Sequence, residues 1–164
     1  MKKVGLALIA LLFLSGCQTM QTQEVVKRQV AFPESEYAAL EMSGDSTVRG
    51  QVFMTTRGGD VKYGAGREVV ITPVTSYTSE ATRVMLAGKR IEDPDPRAQA
   101  FTRRTIADGS GNFEFNGLPA GRYYVAGSVV WEVPSQFGPA RQGGAVLRQI
   151  SVGEGETETV MLNR

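Results

Sequence analysis

The stretch Asn112-Phe113-Glu114-Phe115-Asn116 alternates aromatic and polar side chains. This is the period-2 pattern of a strand with one face in a core and the other in water, and it puts Phe113 and Phe115 inside. Short runs of β-branched and aromatic residues of the same kind occur at 47–55, 68–74, 101–106, 112–115, 122–133, 145–152 and 157–162. Glycine-rich clusters at 57–60, 108–111, 116–121 and 153–155 separate several of them and supply the positive φ angles that tight turns need. Seven short strands with frequent turn signals predict an all-β fold, a seven-strand antiparallel β-sandwich.

Two segments break this rhythm. Before the first strand, residues 32–44 carry Pro33 at a first helical position, Glu34 and Glu36 at the end favoured by the helix dipole, and Gly44 as a stop. They predict a short helix that docks through Tyr37 and Leu40. Between the second and third strands, residues 75–100 form an insertion far longer than a hairpin loop. Ser79 can cap a helix over 80–87 that presents Ala81, Val84 and Met85 on one face, and Gly88 ends it. Pro94 and Pro96 then require extended or turned backbone before them. An insertion of this length is either a functional surface or a cover for a sheet edge.

The N-terminus has a different texture. Lys2 and Lys3 precede an apolar run from Val4 to Leu14, which ends in Leu14-Ser15-Gly16-Cys17. A charged start, an apolar stretch and small residues at its end read as an export signal over residues 1–16. The run is too short for a hydrocarbon core that needs roughly 20 residues. The polar, Gln/Thr-rich residues 17–31 read as a tether, and 45–164 as the folded domain. The Leu-Ser-Gly-Cys tetrapeptide resembles the lipobox of bacterial lipoproteins. That resemblance implies cleavage before Cys17, a lipid on its sulfur, and acylation, as by palmitate, of the new N-terminus. Gln18 in place of an aspartate implies sorting to the outer membrane of a Gram-negative cell, with the domain facing the periplasm.

Composition narrows the chemistry. Removing residues 1–16 leaves 148, enough for one core without disulfides. Cys17 is the sole cysteine, and the chain has no histidine. Residue supply therefore argues against zinc sites and against Cys/His or Ser/His nucleophile pairs. The 18 basic and 17 acidic residues nearly cancel, which gives no electrostatic case for nucleic acid. Asp108-x-Ser110-x-Asn112 has the start of a calcium loop, but Pro119 stands where the closing glutamate belongs, so it reads as a hydrogen-bonded turn.

Three segments in order carry a more specific pattern: Arg49-Gly50-Gln51-Val52, then Gly64-Ala65-Gly66-Arg67-Glu68-Val69-Val70-Ile71, then the stretch from Asp108 through Phe113-Glu114-Phe115 to Leu118-Pro119-Ala120-Gly121-Arg122-Tyr123-Tyr124-Val125. Together they resemble the carboxypeptidase regulatory-like domain. The resemblance covers roughly Val48 to Asn163 and implies a transthyretin-like, prealbumin-like Greek-key sandwich. It implies no common active site. Histidine-dependent hydrolases of related fold are excluded on residue supply.

Candidate contact residues are few. Trp131 and Tyr77 are aromatics able to stack on a sugar or peptide, and Arg103 and Arg104 suit carboxylate or phosphate groups. Alternation puts Val129, Trp131 and Val133 on one face. Trp131 is then core if that face is inward, and exposed if Val130 points inward. The expected function is a lipid-anchored envelope binding or structural module with no catalytic residues, metal or cofactor. Its expected partner is an envelope protein or glycan met through 75–100 or 134–144. The alternative is a carbohydrate-binding accessory lipoprotein using Trp131 and neighbouring tyrosines.

Overall fold

The structure, a computed structural model, describes residues 25–164. The signal over 1–16, Cys17 and the first part of the tether lie outside the described residues. The elements in chain order are β1 (Val25–Val26), α1 (Glu34–Ala38), β2 (Ser46–Thr55), β3 (Val61–Tyr63), β4 (Glu68–Pro73), α2 (Ser76–Leu86), β5 (Arg90–Ile91), α3 (Pro96–Gln99), β6 (Arg103–Ile106), β7 (Asn112–Leu118), β8 (Gly121–Val133), β9 (Ala140–Val152) and β10 (Thr157–Leu162).

Eight strands make two four-stranded sheets. In the first, β2 is central, with β10 on one side and β7 followed by β3 on the other. The second runs β6-β4-β8-β9, antiparallel throughout. Inward side chains from both sheets merge into one core: Val48, Val52, Phe113 and Leu162 from the first, Ile71 and Val125 among those from the second. Fully burying an aliphatic side chain of this size contributes about 1.5–3 kcal/mol, so the core outweighs any single polar contact. β7 follows its sequence pattern, with Phe113 and Phe115 buried while Asn112, Glu114 and Asn116 face water. Asp108 shapes the turn before it. Its carboxylate accepts from the backbone N–H of Ser110 and of Asn112, both at 2.8 Å, and Gly111 takes φ +79°.

The fold is β-rich with antiparallel sheets, as expected, but it departs from seven antiparallel strands. All seven expected runs form strands, and β1, β3 and β5 bring the number among the described residues to ten. The additional strands are only two or three residues long, too short for periodicity to reveal. One pair within the two four-stranded sheets is parallel, since β10 lies alongside β2 from Thr157↔Thr47 to Leu162↔Val52.

The helices differ as well. α1 covers only Glu34–Ala38 of the expected 32–44, because the chain beyond it is drawn off to the sheet: Gly44 N–H donates to the Gly117 carbonyl at 3.1 Å. α2 starts earlier than Ser79. Thr75 is its cap, in a reciprocal capping box with Thr78 that satisfies two otherwise orphaned N–H groups.

Residues 25–31, read from the sequence as tether, are docked. β1 pairs in parallel with β5, and the Glu80 carboxylate accepts the N–H groups of Gln29 and Val30 at 2.7 and 3.2 Å. This arm, α1 and the 75–100 insertion share a small second core. Tyr37, Tyr77 and Ala98 are buried there, with Phe32, Leu40 and Phe101 packed around them. Phe32 stacks on Tyr37 at 4.6 Å, and Arg97 lies over Phe32 while pairing with Glu34 and Asp95. The two segments that broke the strand rhythm are therefore one substructure.

Candidate functional site

That substructure roofs the outer face of the second sheet and leaves a groove of about 860 Å³ beneath it. Period 2 explains the floor. Val69, Ile71 and Val125 point into the core, so Val70, Thr72, Tyr124 and Ala126 must point out, and Leu147 of β9 lies opposite Ala126. The roof is the face of α2 that carries Ala81 and Met85, with Leu86 at the lip, 71% exposed. Tyr77 and Glu80, one turn nearer the N-terminus, are the residues that α2 buries; Val84 is half-buried. Helix and sheet are tied at the inner end of the groove, where Ser79 Oγ and the Tyr124 hydroxyl lie 3.1 Å apart.

Cationic side chains border this apolar space: Arg28 from the arm, Lys89 just before β5 and Arg90 in it, Arg104 from β6, and Arg164 beyond β10. Among the described residues no aspartate or glutamate lines it. Arg104 pairs with Glu68 at 2.8 Å and Arg90 with Asp93 at 3.5 Å, both among exposed side chains. Exposed pairs of this kind are worth about 0–1 kcal/mol, so either arginine can exchange its carboxylate for a ligand's at little cost. Lys89 and Arg164 have no carboxylate partner among the described residues.

The four contact residues expected from the sequence do not form one site. Tyr77 borders the groove but is 4% exposed. Its ring is covered by the Arg28 guanidinium at 4.0 Å and its hydroxyl accepts the Asp95 N–H at 2.9 Å, so it is no free platform. Arg104 stands on the rim. Arg103 points the other way and closes the seam between the sheets. Its guanidinium donates to the Asn116 carbonyl at 2.8 Å and to the Met42 carbonyl at 2.6 Å. Trp131 takes the inward parity with Val129 and packs half-buried against the main core. A Cβ added at Gly143 would come within 2.9 Å of its ring, so glycine there admits the indole.

Sequence reasoning missed Ala126, Leu147 and Arg164; it offered Tyr124 as a stacking aromatic and Lys89 as part of a basic insertion, without joining them to one site. Outward small and apolar residues on β8 and β9 were the available signal. The local excess of arginine and lysine through the insertion was another.

The remaining surfaces are plainer. The outer face of the first sheet is a shallow hollow with Arg49, Gln51, Asn112 and Glu114 on it. The hairpin between β8 and β9 carries Phe137 at its tip, 91% exposed. Among the described residues no three His, Cys, Asp or Glu side chains gather as a metal set, and no helix is long and apolar enough to cross a membrane.

No protein-family model matches the chain, and neither does any curated protein. Among solved structures it is similar to the crystal structure of a protein from Pseudomonas aeruginosa described as a "putative carbohydrate binding protein", with a TM-score of 0.72 and 29% identity over 82% of this chain and 99% of that one.

Proposed function

We propose that the chain is a non-catalytic binding module of the cell envelope, held to the outer membrane by lipid on Cys17, on a transthyretin-like sandwich of the carboxypeptidase regulatory-like kind. The groove between α2 and the second sheet is the observation that carries the binding role. It has the size of a small-ligand site, a mostly apolar lining and a few convergent charged groups. Anchoring rests on the Leu14-Ser15-Gly16-Cys17 tetrapeptide and its apolar lead.

Two measurements on the full chain in cells test this. Cys17→Ser should move the protein out of the membrane fraction, and a variant that still sediments with membranes sinks the anchor. A photocrosslinking amino acid at Leu86, on the groove lip, should capture an envelope component that the same group at Arg57, on the turn between β2 and β3, does not. Identical or absent adducts from both positions remove the groove as the binding site.

A carbohydrate ligand is the second reading, favoured by the description of the Pseudomonas structure. It would use the polar outer face of the first sheet, where Arg49 and Gln51 supply hydrogen-bonding groups. Glycan capture by wild type that is lost in an Arg49→Ala/Gln51→Ala double variant would support it; capture unchanged in that variant would reject this face.

A further inference from the structure

The groove combines an apolar interior with a cationic mouth. Val70, Ala126 and Leu147 form the floor and Ala81, Met85 and Leu86 the roof, while Lys89, Arg90, Arg104 and Arg164 stand around the opening. A sugar fits this poorly. It needs bare aromatic faces and unspent donors and acceptors, yet the Tyr77 ring is covered by Arg28 and the Tyr124 hydroxyl is engaged with Ser79. A purely apolar ligand would leave the charge unused. The complement of this surface is one hydrocarbon chain ending in an anionic group, with the chain under α2 and the anion at the mouth, where arginine can grip it in bidentate fashion.

The position of the arm points the same way. β1 lies against β5, so the polypeptide reaches the body at the edge of the groove, and Arg28 is itself a lining residue. Seven residues separate Cys17 from Val25, and the eight steps between them span at most about 28 Å. A lipid on Cys17 would therefore keep Val25, paired with β5 beside the groove, within about that distance of the leaflet, where single-chain amphiphiles partition.

We propose that the groove binds a free fatty acid, with its acyl chain between α2 and the outer face of the second sheet and its carboxylate among Lys89, Arg90, Arg104 and Arg164. This rests on the reading of the chain as a membrane-held binding module and names the ligand class of that same groove.

The test uses the full chain in phosphatidylcholine vesicles with a dansylated undecanoic acid. Trp131 is the sole tryptophan, so energy transfer from it to dansyl reports probe held on the protein. Transfer should be saturable and displaced by dodecanoic acid, with dodecanol needing roughly 10-fold more, as expected for loss of a charge-assisted contact. Lys89→Glu/Arg164→Glu should weaken the acid by roughly 10-fold and leave the alcohol unchanged. Ala126→Phe should abolish transfer by filling the floor; if that variant does not fold, the charge-reversed pair carries the result.

Absence of saturable transfer, or equal displacement by acid and alcohol, overturns the proposal, as does full binding by a folded Ala126→Phe. Displacement by an oligogalacturonate but not by dodecanoic acid also overturns it, while leaving the groove as the binding site. Failure of the Leu86 crosslink as well would remove the broader binding reading.

Discussion

The Glu80 carboxylate lies under the arm and accepts the Gln29 N–H at 2.7 Å. Its second oxygen takes the neighbouring Val30 N–H, so one side chain that is 5% exposed holds two backbone donors fifty positions away in sequence. Glu80→Ala strands both donors and should lower stability by about 1–3 kcal/mol in urea unfolding. Glu80→Gln, which keeps one acceptor, should lose less. Hydrogen exchange should accelerate at Gln29 and Val30 before it does in the two large sheets.

Tyr123 is buried in the main core and its hydroxyl donates to the Pro119 carbonyl at 2.8 Å, which fastens the loop between β7 and β8. Tyr123→Phe keeps the ring and leaves the carbonyl short of one partner. A loss of about 1 kcal/mol is expected, with the fold unchanged by circular dichroism.

Gly111, like Gly143, is a glycine whose replacement should hurt for two separate reasons. Its φ of +79° lies in the left-handed region, and a Cβ there would come within 2.5 Å of the Val52 carbonyl oxygen. Gly111→Ala should cost at least about 1–3 kcal/mol from backbone strain alone, with the clash adding to it. Gly109→Ala, two residues earlier with open space around its Cβ, is the control and should stay close to wild type.

Acid should act through three carboxylates, Asp108 and Glu36 exposed and Asp95 half-buried. The Asn112 side chain, with backbone N–H groups, holds Asp108 below the usual range; Arg97 does so for Asp95, and the Ser76 hydroxyl and N–H for Glu36. Each folded pKa is depressed. Its stabilisation is therefore present above the ordinary carboxylate range near pH 4 and lost as pH falls through the lower folded values. The melting temperature should be flat from about pH 8 to 5 and fall below about pH 4. Asp108→Asn should flatten part of that acid limb. On the alkaline side, burial raises Tyr37 and Tyr123, so folding retains their protons and stability should decline as pH rises past about 10.

Trp131→Ala removes a half-buried indole from the main core and should cost up to about 3 kcal/mol. Dodecanoic acid binding, followed by calorimetry because this variant has no tryptophan to excite, and glycan binding should persist once the variant is compared with wild type at matched folded fraction. Loss of glycan binding by folded protein would return Trp131 to the contact surface.

The strands were legible because each sheet turns one face to the core, and where the other face is wet, alternation such as Phe113-Glu114-Phe115 records that directly. The short elements were not. β1 and β5 are two residues each and exist only because the arm and the insertion meet, a pairing 65 positions apart that no local pattern carries. The same meeting explains why Tyr77 looked like a ligand platform: an aromatic in an insertion gives no hint that Arg28 will cover it. Trp131 was ambiguous until the parity of β8 was fixed by Val125 and Val129 facing the core. The groove was hidden for a related reason, since its floor and roof are each only partly apolar and become a cavity when stacked.

The docked arm also sets how the protein would respond to load. Tension applied at the N-terminus meets the β1–β5 ladder, Arg28 on Tyr77 and the Glu80 clamp before it reaches β2 at Ser46. These contacts lie in series with the sandwich and are far fewer than the ladders holding β2 between β10 and β7. Under pulling the arm should therefore peel first, as a fuse, and leave the two large sheets folded. Because Arg28 borders the groove, that same peeling would open one of its walls.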